Sequence, residues 1–133
     1  MTAWVVENLG PDVPMHFTAF HPDYRMNDIS NTPPETLNLA RRTALKTGVR
    51  YAYVGNVSDR GRSSTYCHNC NATLIGRNRY SLFHWGLSED GACTQCGTPC
   101  GGVFNNAPGT WGTKRLPVRI RSFAADSITT ASA

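Results

Sequence analysis

The sequence of 133 residues lacks any apolar run long enough to cross a bilayer, which takes about 20 residues. Its first nine residues carry Glu7 and no lysine or arginine, so they lack the basic segment of a secretory signal peptide. No stretch is a dense run of Lys and Arg either. We therefore expect a cytoplasmic protein without a membrane partner.

Acidic residues are scarce in the C-terminal half. Residues 60–133 hold eight Lys/Arg and three Asp/Glu, whereas residues 1–59 hold five and six, so the net charge of +4 arises in the second half. A basic half can meet nucleic acid or an acidic partner. A solvated basic surface is the simpler interpretation, because the positive charges are dispersed.

Cysteine is the residue whose pattern is most informative. Two Cys-x-x-Cys pairs, Cys67/Cys70 and Cys93/Cys96, are separated by 22 residues. This spacing is typical of a closed four-sulfur site for structural zinc, and a single rubredoxin-like iron would use the same four ligands. The fifth residue, Cys100, is either a free thiol or an alternate ligand. The odd number of cysteines and the lack of a signal peptide favour free or metal-bound thiols in a reducing compartment over disulfide bonds.

The first half alternates strand and helix signals. Apolar residues 3–6 and residues 14–20 are predicted strands. A Thr-Pro-Pro-Glu start at residues 32–35 predicts a helix to about Lys46, with Thr32 as its cap and Gly48 at its left-handed end. Residues 49–54 are mostly apolar on both faces, which predicts a buried parallel strand.

These elements form a strand-helix-strand unit that cannot be stable alone. Such a unit leaves sheet edges and one face open, and it buries too little surface. The predicted fold class is therefore α/β, with residues 1–57 as a piece of a larger sheet or barrel. A polar linker (58–65), a small β module around the cysteines (66–104) and a basic, largely irregular tail (105–133) complete the predicted organisation. Within the module, residues 73–75 and 80–83 should pair as a hairpin.

Several short sequence segments, taken together, resemble a known family. The sequence resembles the C-terminal third of the radical SAM enzyme of the AmmeMemoRadiSam system, a relative of pyruvate formate-lyase activating enzyme. The resemblance runs from about residue 4 to residue 104. It rests on LGPDVPMHF (9–17), FHPDY (20–24), YVGNV (53–57), TYCHNC (65–70), CTQCG (93–97) and GGVF (101–104).

The resemblance implies that residues 1–57 are the last strands and helix of a radical SAM barrel and that residues 66–104 are its zinc ribbon. One departure is large. No Cys-x-x-x-Cys-x-x-Cys motif occurs, because Cys93, Cys96 and Cys100 have the reverse spacing. A [4Fe–4S] cluster and S-adenosylmethionine are thus expected only through a partner chain.

Candidate cavity residues follow from the same comparison, since strand ends of such barrels line the cavity. His16, Asn56 and Asp12 are the candidates, each against the simpler interpretation of a structural or turn residue. No catalytic residue can be assigned. Ala19 stands where the family often has an arginine, which weakens any transfer of substrate binding to this strand.

Two functions remain open at this point. The first is a C-terminal subunit or truncated portion of a radical SAM enzyme, which completes a barrel supplied by a partner. The second is a non-enzymatic zinc-ribbon subunit in a larger assembly that contains RNA or an acidic surface. The second draws on aromatic and basic residues that could stack bases, although covering a small module is their simpler role. These residues are Trp4, Trp85, Trp111, Tyr80, Phe83, Arg77 and Arg79.

Overall fold

The computed structural model describes residues 1–109, which form a mixed α/β domain with two small sheets. Within these residues the first sheet has two strands, so no barrel is present. Most of the predicted basic tail, residues 110–133 with Trp111, lies outside the described residues. In chain order the elements are α1 (Thr2–Leu9), β1 (Met15–Thr18), α2 (Pro34–Thr47), β2 (Ala52–Gly55), α3 (Arg60–Ser63), β3 (Thr65–Tyr66), β4 (Thr73–Asn78) and β5 (Ser81–Trp85).

The predicted strand-helix-strand unit is β1–α2–β2. β1 and β2 pair in parallel, with Met15 opposite Ala52 and Thr18 opposite Gly55. Gly48 takes the left-handed conformation (φ 104°) and its N–H bonds the last turn of α2, as predicted. Thr32 is not the cap: its hydroxyl accepts the Phe20 N–H at 2.9 Å, and α2 starts without a side-chain cap.

The predicted strand at residues 3–6 is wrong, because these residues belong to α1. Val6 packs against the apolar cluster beneath α2, and the Thr2 hydroxyl donates to the Thr47 hydroxyl at 3.2 Å. A four-residue apolar run does not distinguish strand from helix by its period. Here the contacts with the end of α2 outweigh the β preference of Val5 and Val6.

The two edges of the parallel sheet differ. In a parallel strand, successive residues direct their N–H and C=O groups to opposite sides. Met15 and Ala19 donate to β2, so Thr18 points its N–H away from β2, and β1 has no second neighbour strand among the described residues. On the other edge, the Arg41 guanidinium donates to the Ala52 carbonyl at 2.9 Å. One edge is thus capped by a side chain and the other is open.

The cysteine module (66–104) is built on an antiparallel sheet ordered β3–β4–β5. The predicted hairpin is confirmed, but its strands are longer than predicted. β4 continues through Asn78, and the turn lies at Arg79, whose φ is 54°. The segment predicted as a linker, 58–65, contains α3 and the first residue of β3. Its Asp59 caps α3 by accepting the Arg62 N–H.

Two tyrosines of the β2 region join the parallel sheet to the module. Tyr51 is buried in the core cluster of the module, with Leu74, Ile75 and Cys93. The Tyr51 hydroxyl accepts the Gly101 N–H at 2.9 Å. Tyr53 bonds Thr65 through its hydroxyl, also at 2.9 Å. The core of the module therefore includes a residue of the first region, while a second cluster lies beneath α2.

We expect Tyr51→Phe to lower the free energy of unfolding by about 1 kcal/mol, because the Gly101 N–H loses its acceptor. Urea unfolding followed by tryptophan fluorescence measures this. Tyr24→Phe is the matched control, since Tyr24 is 80% exposed and its hydroxyl bonds nothing within residues 1–109. Equal stability of the two variants would show that the hydroxyl does not tie the sheet to the module.

No helix of the described part is both long and apolar enough to cross a membrane.

Candidate metal centre and adjoining cleft

The four predicted metal ligands come together at one end of the cysteine module. The Sγ atoms of Cys67, Cys70, Cys93 and Cys96 all lie within 4.8 Å of one another. Cys67 and Cys93 are buried, whereas Cys70 and Cys96 are exposed. The group therefore has one side in the core and one side at the surface.

The spacing of the sulfurs fits a tetrahedral metal ion. Zinc–sulfur bonds of about 2.3 Å place tetrahedral sulfurs about 3.8 Å apart. The Sγ atoms of Cys67 and Cys96 are 3.6 Å apart, as are those of Cys70 and Cys93. A disulfide needs about 2.05 Å, and all these cysteines are unbonded. The four-cysteine group is thus suited to a metal such as zinc, and four thiolates leave it no open coordination position.

The two Cys-x-x-Cys turns have equivalent backbones. Cys67 accepts an N–H from Asn71 and donates to the Ala72 carbonyl. Cys93 accepts from Gly97 and donates to the Thr98 carbonyl, at the same sequence offsets. The residue after each second cysteine has positive φ, 59° at Asn71 and 71° at Gly97, which asparagine and glycine tolerate best. The two turns thus present their sulfurs in the same way.

The pKa values of the two exposed thiols are shifted in opposite directions. The Thr98 hydroxyl and backbone N–H lower the pKa of Cys96 to about 5. The Ala72 N–H acts on Cys70 in the same direction, but hydrogen bonds with neighbouring thiols and desolvation raise the pKa of Cys70 to about 12. Four adjacent thiolates repel one another, so a divalent cation is what allows all of them to ionise.

Cys100 and His68 lie outside the ligand group. Cys100 is buried beside Tyr51 in the core of the module, and burial raises the pKa of its thiol. It is a free thiol in this structure and is not among the four grouped sulfurs. His68 is exposed on the first cysteine turn.

A cleft of about 660 Å³ lies between the hairpin of β4 and β5 and the parallel sheet, where His16 of β1, the end of β2 and the loop after β2 line it. It brings together His16 and Asn56, two of the three candidate cavity residues. The His16 ring lies 4.9 Å from the Tyr53 ring, tilted by 31°. The Arg77 guanidinium lies 5.7 Å from the centre of the same Tyr53 ring. Asn56 has positive φ (62°), as expected of a turn residue directly after a strand.

The structure does not bring Asp12 into this cleft. Asp12 precedes β1, at the opposite end of the strand, where its carboxylate accepts two bonds of 3.0 Å from Arg50. A Cβ on Gly101 would lie 3.0 Å from the Asp12 side chain, so the backbone of the module passes close by. In this structure Asp12 forms an ion pair with Arg50 at the amino-terminal end of the parallel strands.

Sequence reasoning missed the cleft roles of Tyr53, Arg77 and Arg79. The signal for Tyr53 was its place on β2 directly opposite His16. The two arginines were considered only for base stacking beside the aromatics. Within residues 1–109 the tryptophans of that set do not lie together, since Trp4 is on α1 and Trp85 packs edge-on against Phe104 at 6.4 Å.

Comparison with known proteins gives one relative of unassigned function. The chain is 42% identical over 95 residues to "Uncharacterized protein MJ0808" of Methanocaldococcus jannaschii. The match covers 71% of this chain but 28% of that protein, so the chain corresponds to less than a third of its relative. No family model matches the chain. No solved structure matches it either.

Proposed function

We propose that the chain is the C-terminal portion of a radical SAM enzyme of the AmmeMemoRadiSam type. It completes a barrel whose remaining strands come from another polypeptide or from sequence beyond these 133 residues. In this role it is not catalytic alone. The partner supplies the [4Fe–4S] cluster and binds S-adenosylmethionine, and this chain supplies a cavity wall and a zinc ribbon.

The observation that carries the proposal is the open edge of β1 beside a parallel partner strand. Parallel strands occur almost only in larger sheets covered on both faces. Within residues 1–109 the parallel sheet has two strands, and α2 covers one of its faces. A sheet of this kind is consistent with further strands added at β1. The greater length of the archaeal relative leaves ample sequence for them.

The four-cysteine site has a structural part in this proposal. Zinc held by Cys67, Cys70, Cys93 and Cys96 stabilises the module, and the shared core with Tyr51 then holds the module against β2. A closed four-sulfur site binds no substrate. Radical chemistry must therefore come from elsewhere in the assembly.

Affinity capture from the native cells tests the proposal. The tagged chain should retain an iron–sulfur protein, and the complex should cleave S-adenosylmethionine to 5′-deoxyadenosine after reduction. Metal analysis should give zinc with this chain and iron with its partner. A stable folded monomer that retains no iron–sulfur protein would overturn the proposal.

Thr18→Pro should weaken partner capture at least tenfold while leaving the chain folded. The Thr18 N–H points away from β2, so proline removes a donor only from the open edge, where proline is tolerated. Thr18→Val keeps the N–H and should bind normally. A titration of captured partner measures association, and the melting temperatures of both variants show whether each chain is folded. Undiminished capture by Thr18→Pro would place the interface elsewhere.

The second candidate is a non-enzymatic zinc-ribbon subunit in a larger assembly. The exposed rings of Tyr80 and Phe83 near Arg77 and Arg79 favour it, because aromatic and basic residues together bind single-stranded RNA. This candidate predicts RNA binding that weakens steeply as salt rises. It also predicts a captured assembly without an iron–sulfur protein.

A further inference from the structure

The cleft beside β2 has the size and shape of a small-molecule site. Its volume of about 660 Å³ falls in the range of about 300–1,000 Å³ usual for ligand pockets. It extends past the carboxyl end of β2, and open α/β sheets bind their ligands outside the carboxyl ends of their strands. Its walls come from both parts of the chain, with His16, Tyr53 and Asn56 on one side and Arg77 and Arg79 on the other.

The charge in the cleft is positive. The described residues form two ion pairs, Arg50–Asp12 and Arg62–Asp59. Within these residues Arg77 and Arg79 therefore have no carboxylate partner. Asp59 also lines the cleft, but its carboxylate accepts the backbone N–H and the guanidinium of Arg62, which lower its pKa. Two arginine charges are therefore left for a ligand.

Arg77 is held in position before any ligand arrives. Its guanidinium donates to the Thr65 hydroxyl and lies over the Tyr53 ring. Within the described residues, Nη1 alone makes hydrogen bonds to the protein, to the Thr65 hydroxyl and the Ser63 carbonyl, so further N–H donors remain for an anion. A guanidinium fixed in this way loses little entropy when it binds a phosphate or carboxylate in a forked manner.

An aromatic wall lies next to these charges. The rings of His16 and Tyr53, 4.9 Å apart and tilted by 31°, both line the cleft, and Asn56 follows at the end of β2. A ligand with a flat ring and one anionic group would contact the rings and the arginines together.

We propose that this cleft binds a small anionic molecule in which a phosphate or carboxylate group, held by Arg77 and Arg79, is attached to a planar ring that packs on His16 and Tyr53. This deepens the proposed function, since His16 and Asn56 are its candidate cavity residues, but every residue named here belongs to this chain. Its test uses the zinc-loaded chain alone, so the two proposals can fail separately.

Titration of the ¹⁵N-labelled chain with phenyl phosphate, followed by amide NMR shifts, tests the site. We expect saturable shifts at residues 53–58 and 77–80. Phenyl phosphate should bind more tightly than inorganic phosphate, which lacks the ring, and than phenol, which lacks the charge. Benzoate in a parallel titration distinguishes carboxylate from phosphate as the preferred group. Shifts that do not saturate, or that lie elsewhere, would overturn the proposal.

Arg79→Gln should weaken phenyl phosphate binding about tenfold, because one of the two charges is lost. Arg42→Gln removes the same charge from the exposed side of α2, outside the cleft, and should leave binding unchanged. His16→Ala should reduce the preference for phenyl phosphate over inorganic phosphate, and as His16 is exposed this variant should fold. Binding by Arg79→Gln within twofold of the parent, or an unchanged preference in His16→Ala, would refute the site.

Discussion

Cys93→Ser should lose bound zinc almost completely and unfold the cysteine module. Cys93 is 2% exposed and is one of four sulfurs grouped within 4.8 Å. Structural zinc contributes on the order of 10 kcal/mol to folding in zinc-finger peptides, comparable to the whole stability of a small domain. Serine preserves the volume of the side chain but provides a poor zinc ligand. The loss of module signals in the amide NMR spectrum, with zinc measured by mass spectrometry, reports both effects.

Cys100→Ser is the matched control for that experiment. Cys100 is also buried in the module, but it lies outside the four grouped sulfurs. This variant should keep its zinc and its folded spectrum, with at most a moderate loss of stability from the buried hydroxyl. Zinc retained by Cys93→Ser, or lost by Cys100→Ser, would contradict the assignment of the ligands.

Gly86→Ala should lower the free energy of unfolding by about 2–3 kcal/mol. Gly86 follows β5 and joins the hairpin to the second cysteine turn. Its N–H donates to the Leu74 carbonyl at 2.7 Å, and its carbonyl accepts from Thr94. A Cβ at this position would lie 2.6 Å from the Thr73 carbonyl oxygen, which is backbone and cannot move without disturbing β4. Chemical denaturation of the zinc-loaded protein measures the loss.

Gly109→Ala provides the comparison, since a Cβ there meets nothing within 4 Å. This variant should match the parent within about 0.5 kcal/mol. If Gly86→Ala were equally stable, the hairpin and the second cysteine turn would not be packed as closely as the structure has them.

The features that the sequence predicted well are those set by local chemistry. The Cys-x-x-Cys spacing identified four ligands that the fold brings together, because each tight turn places two sulfurs side by side. The helix end at Gly48 was predictable, because a left-handed residue there needs no distant contact. The parallel pairing of β1 and β2 followed from the helix between them.

The features that the sequence did not predict depend on distant contacts. Residues 3–6 became helical through packing on α2, about 40 residues away in the chain. Asp12 was predicted to line the same cavity as His16. It instead precedes β1, outside the cleft, and forms an ion pair with Arg50. Arg77 joined the cleft because the hairpin folds back over Tyr53, and nothing in its local sequence indicates that contact.

The unequal edges of the parallel sheet give the chain a direction of assembly. A strand pair with two open edges can add neighbours on both sides, and repeated head-to-tail addition produces filaments. Here the Arg41 guanidinium already binds the Ala52 carbonyl on the β2 edge, whereas β1 has no neighbour beyond β2 among the described residues, so the β1 edge is the more accessible one for a further strand. Under the proposed function, β2 would then be the last strand of the completed sheet.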